Sequence, residues 1–305
     1  MMSDMRVAIT GVRGLIGGAL AASLRADGHD VVGVSRRANL AEPTVEWDVE
    51  SGTIEVEALE GLDAIVHLAG EGIAGRWTSA RKSAIMSSRV ESTKLLAGAV
   101  SQLDAKPSVF VSGSAIGFYG SRGDDELTER SLPGDGFLAD VCKRWELAAA
   151  PVTDAGVRLM RIRTGLVVGP GAEALRRMVR ITKLGAGGPL GRGQQWWSWI
   201  SLDDEVRAIR HLIDAESVVG PVNLTAPNPL RQRDFQRALS KALKRPSLMP
   251  APGLAIRAAL GEMGQALLLD SARVVPDALV DSGFGFAHPA LADALDAVLR
   301  SPTAR

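Results

Sequence analysis

The sequence predicts an α/β fold, a doubly wound parallel sheet with a smaller C-terminal lobe, on three observations. Short, apolar, β-rich runs alternate with amphipathic helical stretches through the first half of the chain. A glycine-spaced turn, Thr10-Gly11-Val12-Arg13-Gly14-Leu15-Ile16-Gly17, separates the first run from the first helical stretch. Beyond about Gly169 the alternation loosens, and Gly and Pro punctuate the chain at 185–193, 227–229 and 246–253. Uniformly apolar strands are buried on both faces, which calls for helices on both sides of a parallel sheet.

Taken in order, residues 6–10, 30–34, 64–68, 108–112, 157–162 and 222–224 read as strands, and 16–26, 81–102 and 138–149 as helices. Residues 1–169 and 200–226 are expected to form the core, and 170–199 and 227–305 a lobe laid over the carboxyl edge of the sheet, where doubly wound folds bind ligands. The apolar stretch 7–24 contains Arg13 and spaced glycines, so it reads as part of the fold and not as a leader. No later run of about 20 uncharged apolar residues suits a transmembrane helix.

The 305 residues are 46% hydrophobic and 23% charged, with 35 basic against 35 acidic side chains. A chain without net charge has no global field to gather polyanions, so neither nucleic acid nor a membrane surface is expected as the main partner, and a small molecule is. Cys142 is the sole cysteine, which excludes an internal disulfide and a cysteine metal cluster and points to a reducing cytoplasm. No metal is expected.

The glycine turn carries the clearest chemistry. One small residue permits the tight turn, a second lets backbone approach a pyrophosphate, and a third lets helix pack on strand, while the helix N-terminus offers partial positive charge. Glycines at this spacing also make plain turns; the strand before and helix after favour a dinucleotide site of the Rossmann kind, holding Thr10 to Gly17 against the ligand. The second strand ends Val34-Ser35-Arg36-Arg37, without the acid that commonly holds ribose hydroxyls in NAD sites. Ser35, Arg36 and Arg37 suit a 2′-phosphate and therefore NADP(H), the alternative being solvated surface arginines. Leu68, Ala69 and Gly70 follow a buried strand and allow a ligand ring to come close, and His67 before them reads as a packed strand residue.

With TGVRGLIG, the HLAG at 67–70, Ser112-Gly113-Ser114-Ala115-Ile116-Gly117-Phe118-Tyr119-Gly120 and Arg163-Thr164-Gly165-Leu166, the chain resembles an extended short-chain dehydrogenase/reductase. The runs HLAGEGIAGRW, SRVEST, QQWWSWISLDD and LGEMG make it similar, over essentially its whole length, to the YfcH-like subgroup of the NAD(P)-dependent epimerase/dehydratase family. The resemblance implies bound NADP(H) and a C-terminal substrate lobe but no particular substrate; extended reductases often form homodimers through two helices, and 81–102 and 138–149 show no exposed stripe that decides the oligomeric state here. The family's reaction uses a Ser or Thr with a Tyr-x-x-x-Lys pair, the lysine lowering the tyrosine pKa. Aligning Ser114 with the family serine places Leu138 and Cys142 at the pair, and Lys143 is rotated about 100° away on a helix. Ser114 and Tyr119, the sole tyrosine, are the remaining catalytic candidates. Asp140 and Glu146 read as a solvated helix face and Cys142 as a small core residue.

Trp197 and Trp199, at alternate positions before a helix expected to be capped by Asp203 or Asp204, are expected to form an apolar wall beside the substrate, to bury the junction of the lobes, or both. The sequence thus points to an NADP(H)-dependent oxidoreductase or epimerase-like enzyme for a small carbonyl or sugar-related substrate. The alternative is an NADP-binding sensor that has lost its chemistry.

Overall fold

The computed structural model describes residues 4–36, 43–247 and 249–300. The first part of the chain runs β1 (Arg6–Thr10), α1 (Leu15–Ala26), β2 (Asp30–Ser35), β3 (Thr44–Asp48), β4 (Thr53–Ile54), β5 (Ala64–His67), α2 (Ser79–Gln102), β6 (Val109–Ala115), β7 (Glu126–Leu127), α3 (Phe137–Ala148) and α4 (Pro151–Asp154). It continues through β8 (Arg158–Thr164), β9 (Leu166–Val168), α5 (Glu173–Lys183), β10 (Trp196–Trp197), β11 (Trp199–Ser201), α6 (Leu202–Asp214), β12 (Gly220–Leu224), β13 (Leu230–Arg231), α7 (Gln232–Ala242), α8 (Gly253–Gly264), β14 (Arg273–Val274), α9 (Asp277–Asp281) and α10 (Leu291–Arg300).

The main sheet has eight strands in the order β12-β8-β6-β5-β1-β2-β3-β4. Its pairings are parallel apart from β3 with β4. From β1 the chain winds outward through β2 and β3, then returns to β5 on the other side of β1 and winds out through β6, β8 and β12. This is a Rossmann topology, and the reversal between β1 and β5 opens a crevice at their carboxyl ends.

Alternation along β1 divides the core. Val7 and Ile9 face one layer with Leu20 and Leu24 of α1 and Ile209 and Leu212 of α6. Ala8 faces the other, with Val32, Ile65, Leu96 of α2 and Phe110. A further cluster joins Leu15, Leu166 and Val168 to Trp197, Trp199, Phe235, Leu239 and Leu295.

Strand β3 was not among the expected strands. Its Thr-Val-Glu-Trp-Asp sequence buries only Val45 and Trp47, so it alternates where the central strands are uniformly apolar. The cap of α6 also differs from expectation. Ser201, not Asp203 or Asp204, is the N-cap, its Oγ accepting from the Asp204 N–H at 2.9 Å. The buried Asp204 carboxylate then accepts from the backbone of Ala287 and His288, tying the C-terminal segment to the helix. Asp203, Asp204 and His288 converge within 4.8 Å, but these hydrogen bonds account for Asp204 as a structural tie between α6 and the C-terminal segment. Among the described residues no helix is long and apolar enough to cross a membrane.

Candidate active site

The glycine turn is closed by contact with the next loop. Gly11 has φ of +68°, and a Cβ there would come within 3.1 Å of the Leu68 carbonyl. A Cβ on Gly17 would stand 2.4 Å from Gly11 O, so α1 can pack against the turn only with glycine there. Gly14 is the N-cap of α1 and provides no side-chain cap, and the first turn carries no acid, which leaves its N–H groups facing the crevice for an anion. Leu15 and Ile16 contribute amides to this turn while their side chains pack into the lobe cluster and the sheet core. Val12 lies over Gly33 of β2.

Thr10 fixes the facing loop. Its Oγ1 accepts from the N–H groups of Leu68 at 2.9 Å and Ala69 at 3.0 Å. On the far side of His67, Thr93 gives its hydroxyl proton to Arg89 O and Ser92 gives its own to Ser88 O, so both oxygens can only accept from His67 Nε2–H. Nδ1 is then the acceptor of the Thr10 hydroxyl at 2.8 Å. Burial pushes the His67 pKa down to about 3, in keeping with a neutral ring. His67 is a packed strand residue that holds Thr10 and, through it, the Leu68-Ala69-Gly70 wall.

A cleft of about 1320 Å³ runs along this turn, bounded by Leu68, Ala69 and Gly70, by the end of β2 and by α2. Arg13 reaches across one end of it, donating from Nη2 to Ser35 Oγ at 3.0 Å, and the exposed Arg36 stands at the same edge. Arg37 lies outside the described residues. Glu46, the register partner of Ser35, also lines the cleft and opposes part of the arginine field. These residues fit a dinucleotide: tight glycine contacts, an uncapped helix and two cations beside a hydroxyl at the end of β2.

Around Ser114 the structure departs furthest from the sequence reading. Ser114 Oγ donates to Glu146 Oε1 at 2.7 Å, and Arg163 grips both oxygens of Glu146, from Nε at 2.8 Å and Nη2 at 2.9 Å. Glu146 is buried, so it is not the solvated helix residue expected. The signals for this pair were present: Glu146 is four positions from the core residue Cys142, and Arg163 interrupts an apolar strand, where burial demands a partner. Tyr119 is fully buried and away from the cleft lining. Its hydroxyl donates to Asn223 Oδ1 at 2.7 Å and accepts from Arg163 Nη1 at 2.9 Å, and burial, partly offset by the Arg163 charge, pushes its pKa up to about 12. The expected proton exchange by Tyr119 is thereby corrected, because the loop folds its phenol into the core. At the position of the usual lysine, Cys142 is buried and pushed up to about 11 by desolvation and by the Glu146 charge. Lys143 points outward to Asp140 at 2.7 Å. Sequence reasoning also missed Arg89 of the SRVEST run, whose guanidinium lies 5.1 Å over the Trp145 ring and against Gly70.

Trp197 and Trp199 share a face, and that face is core. Trp199 is fully buried, with Nε1 donating to Asn228 O at 3.1 Å, while Trp197 packs edge-on against Phe235 at 5.4 Å. Both indoles lie in a buried cluster that joins Leu15, Leu166 and Val168 to Phe235, Leu239 and Leu295, which is the burial expected beside or in place of a substrate wall. Of the three neighbouring tryptophans it is Trp196 that is partly exposed, under the Arg231 guanidinium at 4.1 Å.

A family model described as the NAD dependent epimerase/dehydratase family matches residues 7–224. The chain belongs to that family. A second model, described as a domain of unknown function (DUF1731), matches residues 251–298 in the lobe. The epimerase family protein Mb2239 of Mycobacterium bovis is 41% identical over 295 residues, covering 96% of this chain and 97% of its own. The crystal structure of human epimerase family protein SDR39U1 (isoform 2) with NADPH superposes with a TM-score of 0.88 at 31% identity, covering 96% of this chain and 99% of that one. A nucleoside-diphosphate sugar epimerase from Corynebacterium glutamicum gives 0.79 at 35% identity, over 97% of this chain and 58% of its own. The family is NAD(P)-dependent, and the extended short-chain reductase resemblance holds for this member.

Proposed function

We propose that this family member is an NADP(H)-dependent oxidoreductase or epimerase-type enzyme for a small carbonyl or sugar-related substrate. The observation that carries the reading is the cradle, where Cβ atoms at Gly11 and Gly17 would collide with backbone and Arg13 meets Ser35 at the end of β2. The human relative described with NADPH supports the choice of cofactor. Bound NADP(H) would supply hydride exchange at the substrate carbon. The chain's own part would be the proton: Ser114 lies near the carboxyl end of β6, 5% exposed and outside the lining of the cleft, and with its hydroxyl hydrogen engaged by Glu146 its free lone pairs would accept from a substrate hydroxyl brought up to it. As that hydroxyl gives up its proton to Ser114, the serine proton passes to Glu146 Oε1, and the reverse transfer serves a carbonyl being reduced. A Ser–Glu relay of this kind needs neither a tyrosine nor a lysine on α3.

The test is single-turnover oxidation of NADPH by the purified protein against a panel of aldehydes, ketones and nucleotide sugars. Ser114→Ala is expected to slow the active case by roughly 10² to 10⁴, the range of a lost general acid/base group, with NADPH affinity unchanged. Full activity in Ser114→Ala would remove the relay. Tight NADPH binding with no oxidation across the panel would favour the sensor reading, which Leu138 and Cys142 at the usual pair support.

A further inference from the structure

Arg89 projects from α2 into the seam between the cleft and the Ser114 centre. On one side it meets Gly70, the last of the three wall residues, where a Cβ would lie 3.1 Å from its Cζ and 3.3 Å from Nη2. On the other it covers Trp145 of α3, one residue from Glu146 and three from Cys142. Its Nη1 is committed to the carbonyls of Glu71 at 2.9 Å and Ile85 at 3.2 Å, which fixes the plane of the guanidinium. Among the described residues Nε and Nη2 have no hydrogen-bond partner and no carboxylate lies within ion-pair distance, Glu71 acting on the guanidinium only through its charge at longer range. Glu71, the nearest acid in sequence to the wall, is bridged to Arg81 instead. A half-buried cation with no carboxylate in contact keeps much of its desolvation cost, which an oxygen-rich ligand relieves.

The direction of the cleft says which ligand part reaches it. The phosphate end is fixed at Arg13 and Ser35, and the glycine turn and the 68–70 wall carry a dinucleotide away from that end toward Gly70. We propose that Arg89 binds the nicotinamide-side ribose of the cofactor, its free N–H groups donating to the ribose hydroxyls from across Gly70. Arg89 then supplies the cation that position 142 lacks, from a different helix. Gly70 is needed because any side chain there would push the guanidinium from the ribose. The inference rests on the NADP(H) reading of the same cleft.

The experiment compares two probes on the full chain by calorimetric titration: NADPH, and adenosine 2′,5′-bisphosphate, which carries the adenine half without the nicotinamide ribose. Arg89→Met keeps the stem over Trp145 and is expected to weaken NADPH roughly tenfold to a hundredfold, the worth of hydrogen bonds from a charged donor. Adenosine 2′,5′-bisphosphate should bind both proteins alike, which also reports that the variant is folded. Arg89→Lys should recover part of the NADPH affinity. Unchanged NADPH affinity in Arg89→Met, or equal weakening of both probes, would overturn the assignment while leaving the cofactor reading in place. Failure of the unmodified protein to bind either probe would overturn that reading, and the Arg89 inference with it.

Discussion

Glu205 stands in the first turn of α6, fully buried, with Oε1 accepting from the Thr164 hydroxyl at 2.8 Å and Oε2 without a partner among the described residues. Burial pushes its pKa up to about 8, only partly offset by Thr164. The folded protein therefore favours the protonated acid more than the unfolded chain does. That stability is fully present below the ordinary value of 4.5 and is lost as pH rises through 8. His67 acts with the opposite sign: its pKa lies near 3 in the fold against 6.5 ordinarily, so its contribution is present above 6.5 and lost as pH falls toward 3. Glu205→Gln keeps an acceptor for Thr164 and removes the titration. Its melting temperature should exceed that of the unmodified protein by a margin that grows between pH 5 and pH 8, followed by scanning calorimetry. A margin that stays constant or shrinks would show that Glu205 is not the buried acid described.

Helix α3 and strand β8 are joined through charge as well as packing. Arg163 of β8 meets Glu146 of α3 with both side chains nearly inaccessible, and the same guanidinium lies 3.5 Å over Phe118 and reaches Tyr119. Replacing one partner leaves the other charged and unpaired in the interior, which costs about 3–5 kcal/mol, whereas a pair well matched in geometry adds much less than that to stability. Arg163→Gln should accordingly destabilise by about 3–5 kcal/mol in urea unfolding, and adding Glu146→Gln should restore a large part of the loss. Additive losses in the double variant would contradict a coupled pair. The helix itself was legible in the sequence, down to one residue at each end, because Leu138, Val141, Cys142 and Trp145 recur at helical spacing. Its buried charged face was not, because Glu146 was read by residue type and not by its position four residues from Cys142. The tryptophan segment left two readings open for another reason: alternation told which residues share a face, but the period of a strand cannot tell whether that face meets solvent, substrate or another layer.

For the molecule as a whole, the strands that build the switch point were legible because they are buried on both faces and so are apolar along their length. The glycine turn was legible because Gly17 answers a close approach that no side chain permits and Gly11 a positive φ beside a tight one. What the sequence left unread depends on contacts between distant segments. Arg13 touches Ser35 across 22 positions, Ser114 touches Glu146 across 32, and Tyr119 meets Asn223 across 104, so no local pattern records them. In the proposed cofactor site Arg13, Ser35 and Arg36 would read a 2′-phosphate against the opposing carboxylate of Glu46. A charge-assisted hydrogen bond to phosphate contributes about 1.5–3 kcal/mol, roughly tenfold to a hundredfold in affinity. The direct measurement is parallel titration of the full chain with NADPH and NADH, repeated with Arg13→Glu. NADPH should bind tighter by about that factor, and Arg13→Glu should abolish the preference by weakening NADPH with little change for NADH. Equal affinities for the two cofactors in the unmodified protein would contradict the account.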